Sequence, residues 1–461
     1  LRAEVPATPS VAEVMKGFEA KAGAASAEAF DPSQDNIDAR TRRLQFGPVK
    51  VALLAKKNRG ETVNVAIALH IGNEKALFGE RTSAGFAAAM LPRGTARLTR
   101  GEFSDALERL KMTGFAGGPS VEFQTTRPNL QAALELTAEA LKSPRFDPAE
   151  FEQLRTQTLT GVQSRLSEPG PLAGDAMAQA FNIYPDGDWR HAPTLQESLE
   201  RVKQAKLEDA KAFHERFYGA DPADVAIVGD FDEAKVEAQL ETLFAGWEPK
   251  VRFEQVTSEY RDIAPVEKSI GTPDKENAVF LARENVDMRD DDPDYVALYV
   301  ANYMFGGGAG FDSRLMLRIR QKEGLSYGVG SDLAVDALDR AGSWSVFAIS
   351  APQNTAKVEE AFREELARAA KDGFTQAELD AAKSGLLQIR TQNRSQDPVL
   401  AFAWTEYLYL GRTWQFSKSI DEKIRALTLG EVNAAFREHI DPAKVSVFKA
   451  GDFAKAGAKT Q

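Results

Sequence analysis

The segments GADPADVAIVGDFD (219–232) and HIDPAKVSVFKAGDFA (439–454) share one pattern: a DPA turn, a valine-containing apolar run and the triplet GDF. A second pair, SPRFDPAEFEQLRTQTL (143–159) and KDGFTQAELDAAKSGLL (371–387), also resemble each other. The two pairs are offset by about 220 and 228 residues. A repeat of this length is the size of a domain, so it predicts two copies of one α+β domain.

The order of predicted elements is the same in both halves. In the first half, PVKVALLAKKN and ETVNVAIALHIG read as strands on either side of the turn Asn58-Arg59-Gly60, and long helical patterns follow. In the second half, AVFLARENVDM reads as a strand and PDYVALYVANYMFGGG as a helix, before the strands LSYGVGSDLAVDAL and GSWSVFAIS. Two helical segments follow these strands. Each domain is therefore predicted to be a sheet covered by helices.

Composition shifts suggest the domain boundaries. Residues 1–46 read as an N-terminal extension, with an exposed helix in VAEVMKGFEAKAGAASAEAF (11–30). Residues 47–245 form the first predicted domain, and 275–461 form the second. The Pro-punctuated stretch 246–274 reads as the linker between them. Because clefts between domains commonly bind ligands, a cleft at this interface is expected.

Charge and composition exclude several classes of function. The net charge of −11 argues against a nucleic-acid partner, which would require a basic surface. The chain has no cysteine, which excludes disulfides and thiolate metal sites. It also lacks an apolar run of the roughly 20 residues needed to span a bilayer. The start, LRAEVPATPS, has neither a Met nor a signal-peptide core, and we expect removal of an upstream segment or an origin in a longer polypeptide.

The sequence contains no local signature of a self-sufficient active site. None of the four histidines is paired at the spacing that places two imidazoles on one helix face: His70, His191, His214 and His439. We interpret them as helix-end or surface histidines. No G-x-S-x-G motif occurs, and the glycine-rich stretch 306–310 lacks a P-loop lysine. A stand-alone enzyme with unrelated chemistry is therefore disfavoured.

One constellation remains in RLMLRIRQKEGLSYGVGSDL (314–333). A helix carrying Arg314, Arg318 and Arg320 is predicted to end near Glu323, and a strand opens near Tyr327. Arg320 and Tyr327 could then project from one corner, where a guanidinium and a phenol are suited to gripping a carbonyl oxygen or an oxyanion. By spacing alone, a surface arginine and a half-buried tyrosine is the commoner interpretation.

Several of these motifs together resemble a known family. The glycine-rich turn followed by SRL, the arginine, KEGLSYGV and the two DP…V…GDF segments are similar to the insulinase/pitrilysin zinc metallopeptidases, in their bacterial, mitochondrial-processing-peptidase-like branch. The similarity covers about residues 40–455. It implies two homologous tandem α+β domains, each a mainly antiparallel sheet packed with helices, which enclose a cleft with a partner subunit.

The resemblance also assigns meaning to TSAGFAAAMLPRGT (82–95). The family's zinc motif H-x-x-E-H falls on five residues that lack imidazole and carboxylate: Gly85, Phe86, Ala87, Ala88 and Ala89. A later glutamate ligand falls near Thr160 or Gly161 and is absent too. The resemblance therefore implies that this chain binds no zinc and that the motif is degenerate at Gly85, Ala88 and Ala89.

The family's substrate-binding arginine and tyrosine match Arg320 and Tyr327, seven residues apart. The resemblance then implies a non-catalytic, substrate-binding subunit of a heterodimeric zinc metalloendopeptidase, inactive alone. An H-x-x-E-H paralogue would supply zinc, and peptides would be the substrates. The alternative is a purely structural, core-type subunit with no role in proteolysis. The periplasm of a Gram-negative bacterium is the expected compartment, with the cytoplasm as the alternative.

Overall fold

Two five-stranded sheets form the framework of the protein. The computed structural model describes residues 27–115, 118–308 and 313–454, so most of the predicted helix at 11–30 lies outside the described residues. The first sheet contains β1 (Arg42–Phe46), β2 (Val49–Ala55), β3 (Thr62–Leu69), β4 (Ser120–Thr126) and β5 (Ala223–Gly229). The second contains β6 (Glu267–Gly271), β7 (Ala278–Val286), β8 (Ser326–Ala334), β9 (Gly342–Ser350) and β10 (Ser446–Gly451). The predicted α+β class is confirmed.

The two sheets share an order over four strands. The first runs β1-β2-β5-β3-β4 and the second β6-β10-β7-β9-β8. In each, one parallel pair, β2 with β5 or β6 with β10, is followed by two antiparallel pairs, and β8 adds a third antiparallel pair to the second sheet. The strands that follow the two DPA turns, β5 and β10, therefore occupy equivalent positions.

The strands on either side of Asn58-Arg59-Gly60 are not neighbours in the sheet, because β5 lies between them. All seven residues of β5 are buried, and it pairs with β2 on one side and β3 on the other. A strand that is apolar on both faces is stable only where both faces are covered, which is the centre of the sheet. Local turn chemistry cannot predict this insertion.

Helices cover both sheets. After Gln34–Arg40, those of the first half are Arg81–Met90, Arg100–Arg109, Leu130–Lys142, Pro148–Arg165, Pro169–Phe181, Leu195–Gln204, Leu207–Phe217 and Glu233–Phe244. Those of the second are Tyr295–Asn302, Thr355–Asp372, Gln376–Arg394, Asp397–Leu410, Trp414–Ala426 and Leu429–His439, with π-helical segments at Tyr303–Gly307 and Met316–Lys322. Among the described residues, no helix is both long and apolar enough to cross a bilayer.

The two halves exchange one helix each. Helix Asp397–Leu410 of the second half packs on the first sheet, where Trp404 and Leu400 contact the outward-facing residues of β2, β3 and β5. Helix Pro169–Phe181 of the first half packs on β6, β7 and β10 of the second sheet. Each exchanged helix thus packs on the sheet of the other half, and these contacts join the two halves.

Two segments differ from the predicted boundaries. Helix Gln34–Arg40 and β1 lie inside the predicted extension 1–46, yet Ile37 is fully buried and β1 pairs with β2. Strand β6 lies inside the predicted linker 246–274 and pairs with β10. Its sequence EKSIG is almost entirely exposed, because an edge strand is held by backbone hydrogen bonds and needs no apolar alternation.

One buried carboxyl gives the second sheet a predicted pH response. Glu284 on β7 accepts the N–H of Asp441 at 3.1 Å, and burial raises the pKa of its carboxyl from 4.5 to about 8. Because the folded pKa lies above the unfolded one, this group contributes full stability below about pH 4.5, and the contribution is lost as the pH rises through about 8.

We therefore expect the thermal midpoint of the wild type to fall more steeply between about pH 5 and 9 than that of Glu284→Gln. The control is the same pair of melts below about pH 3.5, where Glu284 is protonated in both states and the two curves should be parallel. Parallel curves over the whole range would contradict the assignment.

Candidate functional site

Helix Arg81–Met90 keeps its place in the core without the motif residues. Phe86, Ala87 and Met90 are buried, and the ring centroid of Phe86 lies 5.1 Å from that of Phe151 on helix Pro148–Arg165. Gly85 is exposed, and a Cβ added there would meet no atom within 4 Å. The helix is therefore held by its buried face, and the outer positions are free to carry any side chain.

The positions matched to the zinc ligands carry no side-chain donor atoms for a metal. Gly85, Ala88 and Ala89 present hydrogen or methyl groups. Gly161, on helix Pro148–Arg165, is exposed and also has open space around its Cβ direction, and Thr160 beside it donates to the Thr156 carbonyl oxygen. Zinc prefers imidazole, thiolate or carboxylate ligands, so these residues do not fit a zinc ion.

Arg314 and Arg318, which precede Tyr327, are held in ion pairs. Arg314 donates from Nε to Glu378 at 2.6 Å and from Nη2 to the Gly373 carbonyl oxygen at 2.8 Å. Arg318 forms ion pairs with three carboxylates, those of Glu323, Glu364 and Glu365. These contacts fix the segment to helices Thr355–Asp372 and Gln376–Arg394, which gives both arginines a structural role.

Arg320 is more exposed than Arg314 and Arg318. It lies on the π-helical segment Met316–Lys322, its side chain is exposed, and its Nη1 lies 4.0 Å from the Met316 sulfur. π-Helical turns are rare and occur frequently at functional sites. Arg320 is thus placed on a solvent-facing surface by a segment that Arg314 and Arg318 hold in position.

Tyr327 is presented by a bulge in β8. Ser326 pairs with Ser350 and Gly328 with Ile349, so Tyr327 is the extra residue, and its side chain is 69% exposed. Bulges redirect side chains and are frequent beside active sites. A sequence pattern of alternating residues contains no signal for this irregularity.

The hydroxyl of Ser326 holds the bulge. Its Oγ lies 2.7 Å from the carbonyl oxygens of both Gly328 and Ile349 and accepts the Gly328 N–H at 3.2 Å. Sequence analysis did not identify Ser326 as a positioning residue. The only signal in the sequence is a serine directly before a tyrosine at the start of a predicted strand.

The four histidines make local side-chain and backbone contacts within the fold. His70 contacts Asp224 at 2.6 Å, the His191 ring contacts Asn182, and His214 lies 2.7 Å from the Leu141 carbonyl oxygen, where burial lowers its pKa. His439 is the last residue of its helix and lies 3.2 Å from Asp294. With Glu438 these two form the one group of three potential metal ligands found among residues 27–115, 118–308 and 313–454. The contact between His439 and Asp294 accounts for that arrangement.

Comparisons with known proteins found a matching family model and several proteins of similar sequence. Residues 204–386, which include Arg320 and Tyr327, match the family model described as "Peptidase M16 inactive domain". An uncharacterized zinc protease of Mycobacterium leprae is 28% identical over 274 residues, and the match spans 56% of this chain and 56% of that protein. The non-peptidase homolog YmxG of Helicobacter pylori is 24% identical over 369 residues, which span 76% of this chain and 82% of that protein.

A solved structure shows the same fold. The crystal structure of a peptidase M16 inactive domain from Pseudomonas fluorescens has a TM-score of 0.77 with this chain at 21% sequence identity. The similarity covers 89% of this chain and 97% of that one.

Proposed function

We propose that this chain is an inactive-type member of the M16 insulinase/pitrilysin family and serves as the non-catalytic, substrate-binding subunit of a two-chain zinc metalloendopeptidase. The partner is a paralogue that carries H-x-x-E-H, and the pair encloses peptides in a chamber, in the periplasm of a Gram-negative bacterium. Arg320 and Tyr327 supply donors to the partner's active site.

The observation that carries this proposal is the contrast between the two halves of the chain. In the first half, every position matched to a metal ligand is Gly, Ala or an exposed helix residue without a carboxylate. In the second half, Arg320 lies exposed on a π-helical segment and Tyr327 lies exposed on a β-bulge. The side-chain contacts of Arg314 and Arg318 hold the segment, and those of Ser326 hold the bulge. A chain built only as a scaffold has no need to hold these two donors towards solvent.

The chemistry assigned to this chain is hydrogen-bond donation. A guanidinium and a phenol hydroxyl can bind a peptide carbonyl and strengthen their hold as negative charge develops on its oxygen. The partner's zinc ion would activate the attacking water. No step of the reaction is assigned to a metal in this chain.

Mixing the two subunits tests the proposal. We expect the purified chain to cleave no peptide and to carry no stoichiometric zinc by mass spectrometry, while adding the H-x-x-E-H paralogue produces peptidase activity. His439→Ala is the matched control for the zinc measurement. Any zinc that the wild type binds and this variant does not bind is held by His439 together with Asp294 and Glu438. A paralogue that is equally active alone would instead favour the structural, core-type subunit.

A further inference from the structure

A cavity of about 300 Å³ lies beside the helix that carries the degenerate motif. Three helices form its wall: Arg81–Met90, Pro148–Arg165 and Leu195–Gln204. Each contributes two residues four positions apart, which places the two on one helix face. These pairs are Gly85 with Ala89, Leu154 with Thr158, and Ser198 with Val202.

The cavity exists because two of these positions are nearly empty. A Cβ at Gly85 would meet no atom within 4 Å, and Ala89 adds only a methyl group. Phe86, which is 5% exposed, lines the cavity and is held against Phe151. The space is thus bounded by packed helices, with mainly carbon atoms on its wall.

Donors surround the cavity, and none of the described residues that line it is acidic. Arg81 donates from Nη1 to the carbonyl oxygens of Trp189 and His191, both at 2.9 Å, and Arg201 forms an ion pair with Asp186. Thr82 and Ser198 add hydroxyls. Apolar walls with a few polar groups are typical of ligand sites, and donors suit a ligand whose apolar part is attached to carbonyl oxygens.

A second cavity of about 350 Å³ lies next to the first and shares Thr82, Phe86 and Arg201 with it. Its lining is more polar and includes Asp186, Lys206 and Asp209. Two adjoining cavities along one helix, one apolar and one polar, suit successive residues of a chain. An extended peptide fits this pair better than a single compact molecule does.

We propose that the apolar cavity binds one large apolar side chain of an extended peptide, with a preference for Phe or Leu over Ala. The first half of the chain would then select substrates at the place where the zinc motif is degenerate. This inference rests on the proposed function, since it takes peptides as the ligand. It does not depend on the partner subunit or on Arg320 and Tyr327.

Calorimetric titration of the full chain with three peptides tests the inference. The probes are acetylated alanine pentapeptide amides with Phe, Leu or Ala at the central position. We expect the Phe peptide to bind about tenfold or more tighter than the Ala peptide, because only it transfers a large apolar side chain from water. Equal affinities for the three peptides would overturn the inference.

Filling the cavity supplies the variant test. Gly85→Leu projects into the cavity and should abolish the preference for Phe, whereas Gly161→Leu should leave it within about twofold. The two glycines match as controls, since both are exposed helix residues with open space at Cβ, and only Gly85 lines the cavity. Should Gly85→Leu fail to fold, Ala89→Leu tests the same cavity. A preference for Phe that survives the filling would place the peptide elsewhere.

The test separates this inference from the proposed function. Arg320→Ala and Tyr327→Phe should keep the preference for Phe in the isolated chain, because neither residue lines the cavity. Loss of the preference in those variants would contradict the inference. Inactivity of the mixed subunits would contradict the proposed function and leave the peptide selectivity measurable.

Discussion

Arg320→Ala in the proposed two-chain enzyme is expected to lower kcat for peptide hydrolysis by about 10² to 10³, which is the usual effect of removing one oxyanion donor. Tyr327→Phe, which removes only the hydroxyl, should produce a loss of similar size. Both side chains are exposed and neither belongs to a core cluster, so the variants should fold as the wild type does. Steady-state kinetics with a fluorogenic peptide measures the effect.

Lys322→Ala is the matched control for Arg320→Ala. Lys322 is an exposed cation on the same π-helical segment, so its removal changes the local charge without removing the proposed donor. We expect its kcat to remain within about twofold of the wild type, because exposed charges contribute little through water. Equal losses in Lys322→Ala and Arg320→Ala would show a general electrostatic effect. Unchanged activity in both Arg320→Ala and Tyr327→Phe would contradict the proposed role of these residues as hydrogen-bond donors to the substrate.

Trp404→Ala is expected to destabilise the protein by about 3–5 kcal/mol, the range for deleting a large buried aromatic side chain. Trp404 lies on the exchanged helix Asp397–Leu410, is fully buried, and packs with Trp414 and the outward face of the first sheet. Its indole nitrogen has no hydrogen-bond partner among the described residues, so the loss is one of packing alone. Urea unfolding and thermal melts measure it.

Phe402→Ala on the same helix is the control for Trp404→Ala. The Phe402 side chain is 54% exposed, so its removal should change the free energy of unfolding by about 0.5 kcal/mol or less. Because the exchanged helix joins the halves, Trp404→Ala should also speed limited proteolysis between them. A Trp404→Ala variant as stable as Phe402→Ala would mean that the exchanged helix contributes little to the fold.

Local sequence patterns predicted individual elements well where one physical signal dominated. The repeated segments after the two DPA turns, which indicated a duplicated domain, contain the equivalent strands β5 and β10. The long helical patterns predicted after the first two strands correspond to a series of helices, which begins with Arg81–Met90 and a short 3₁₀ turn after it. The corner between Met316–Lys322 and β8 also lies where the sequence predicted it, with Arg320 before it and Tyr327 after it.

Other features depended on partners distant in sequence. Strand β6 has no apolar alternation in its sequence. It forms because its backbone pairs with that of β10, about 180 residues later. Arg318 is partly buried and pairs with Glu364 and Glu365, whereas Arg320, two residues later in the same segment, is exposed. Sequence spacing does not predict which of these two arginines is exposed, because the exposure depends on helix Thr355–Asp372, which packs beside Arg318.

The sequence by itself determined the α+β class, the repeated order of elements, the absence of metal ligands at Gly85, Ala88 and Ala89, and the two candidate donors. These properties follow from residue identity and short-range periodicity. Tertiary structure alone decided the insertion of β5, the exchange of helices Pro169–Phe181 and Asp397–Leu410, the bulge at Tyr327 and the cavity beside Gly85. Each of these arises where apolar faces or backbone groups from separate parts of the chain must be buried against one another, which no local pattern specifies.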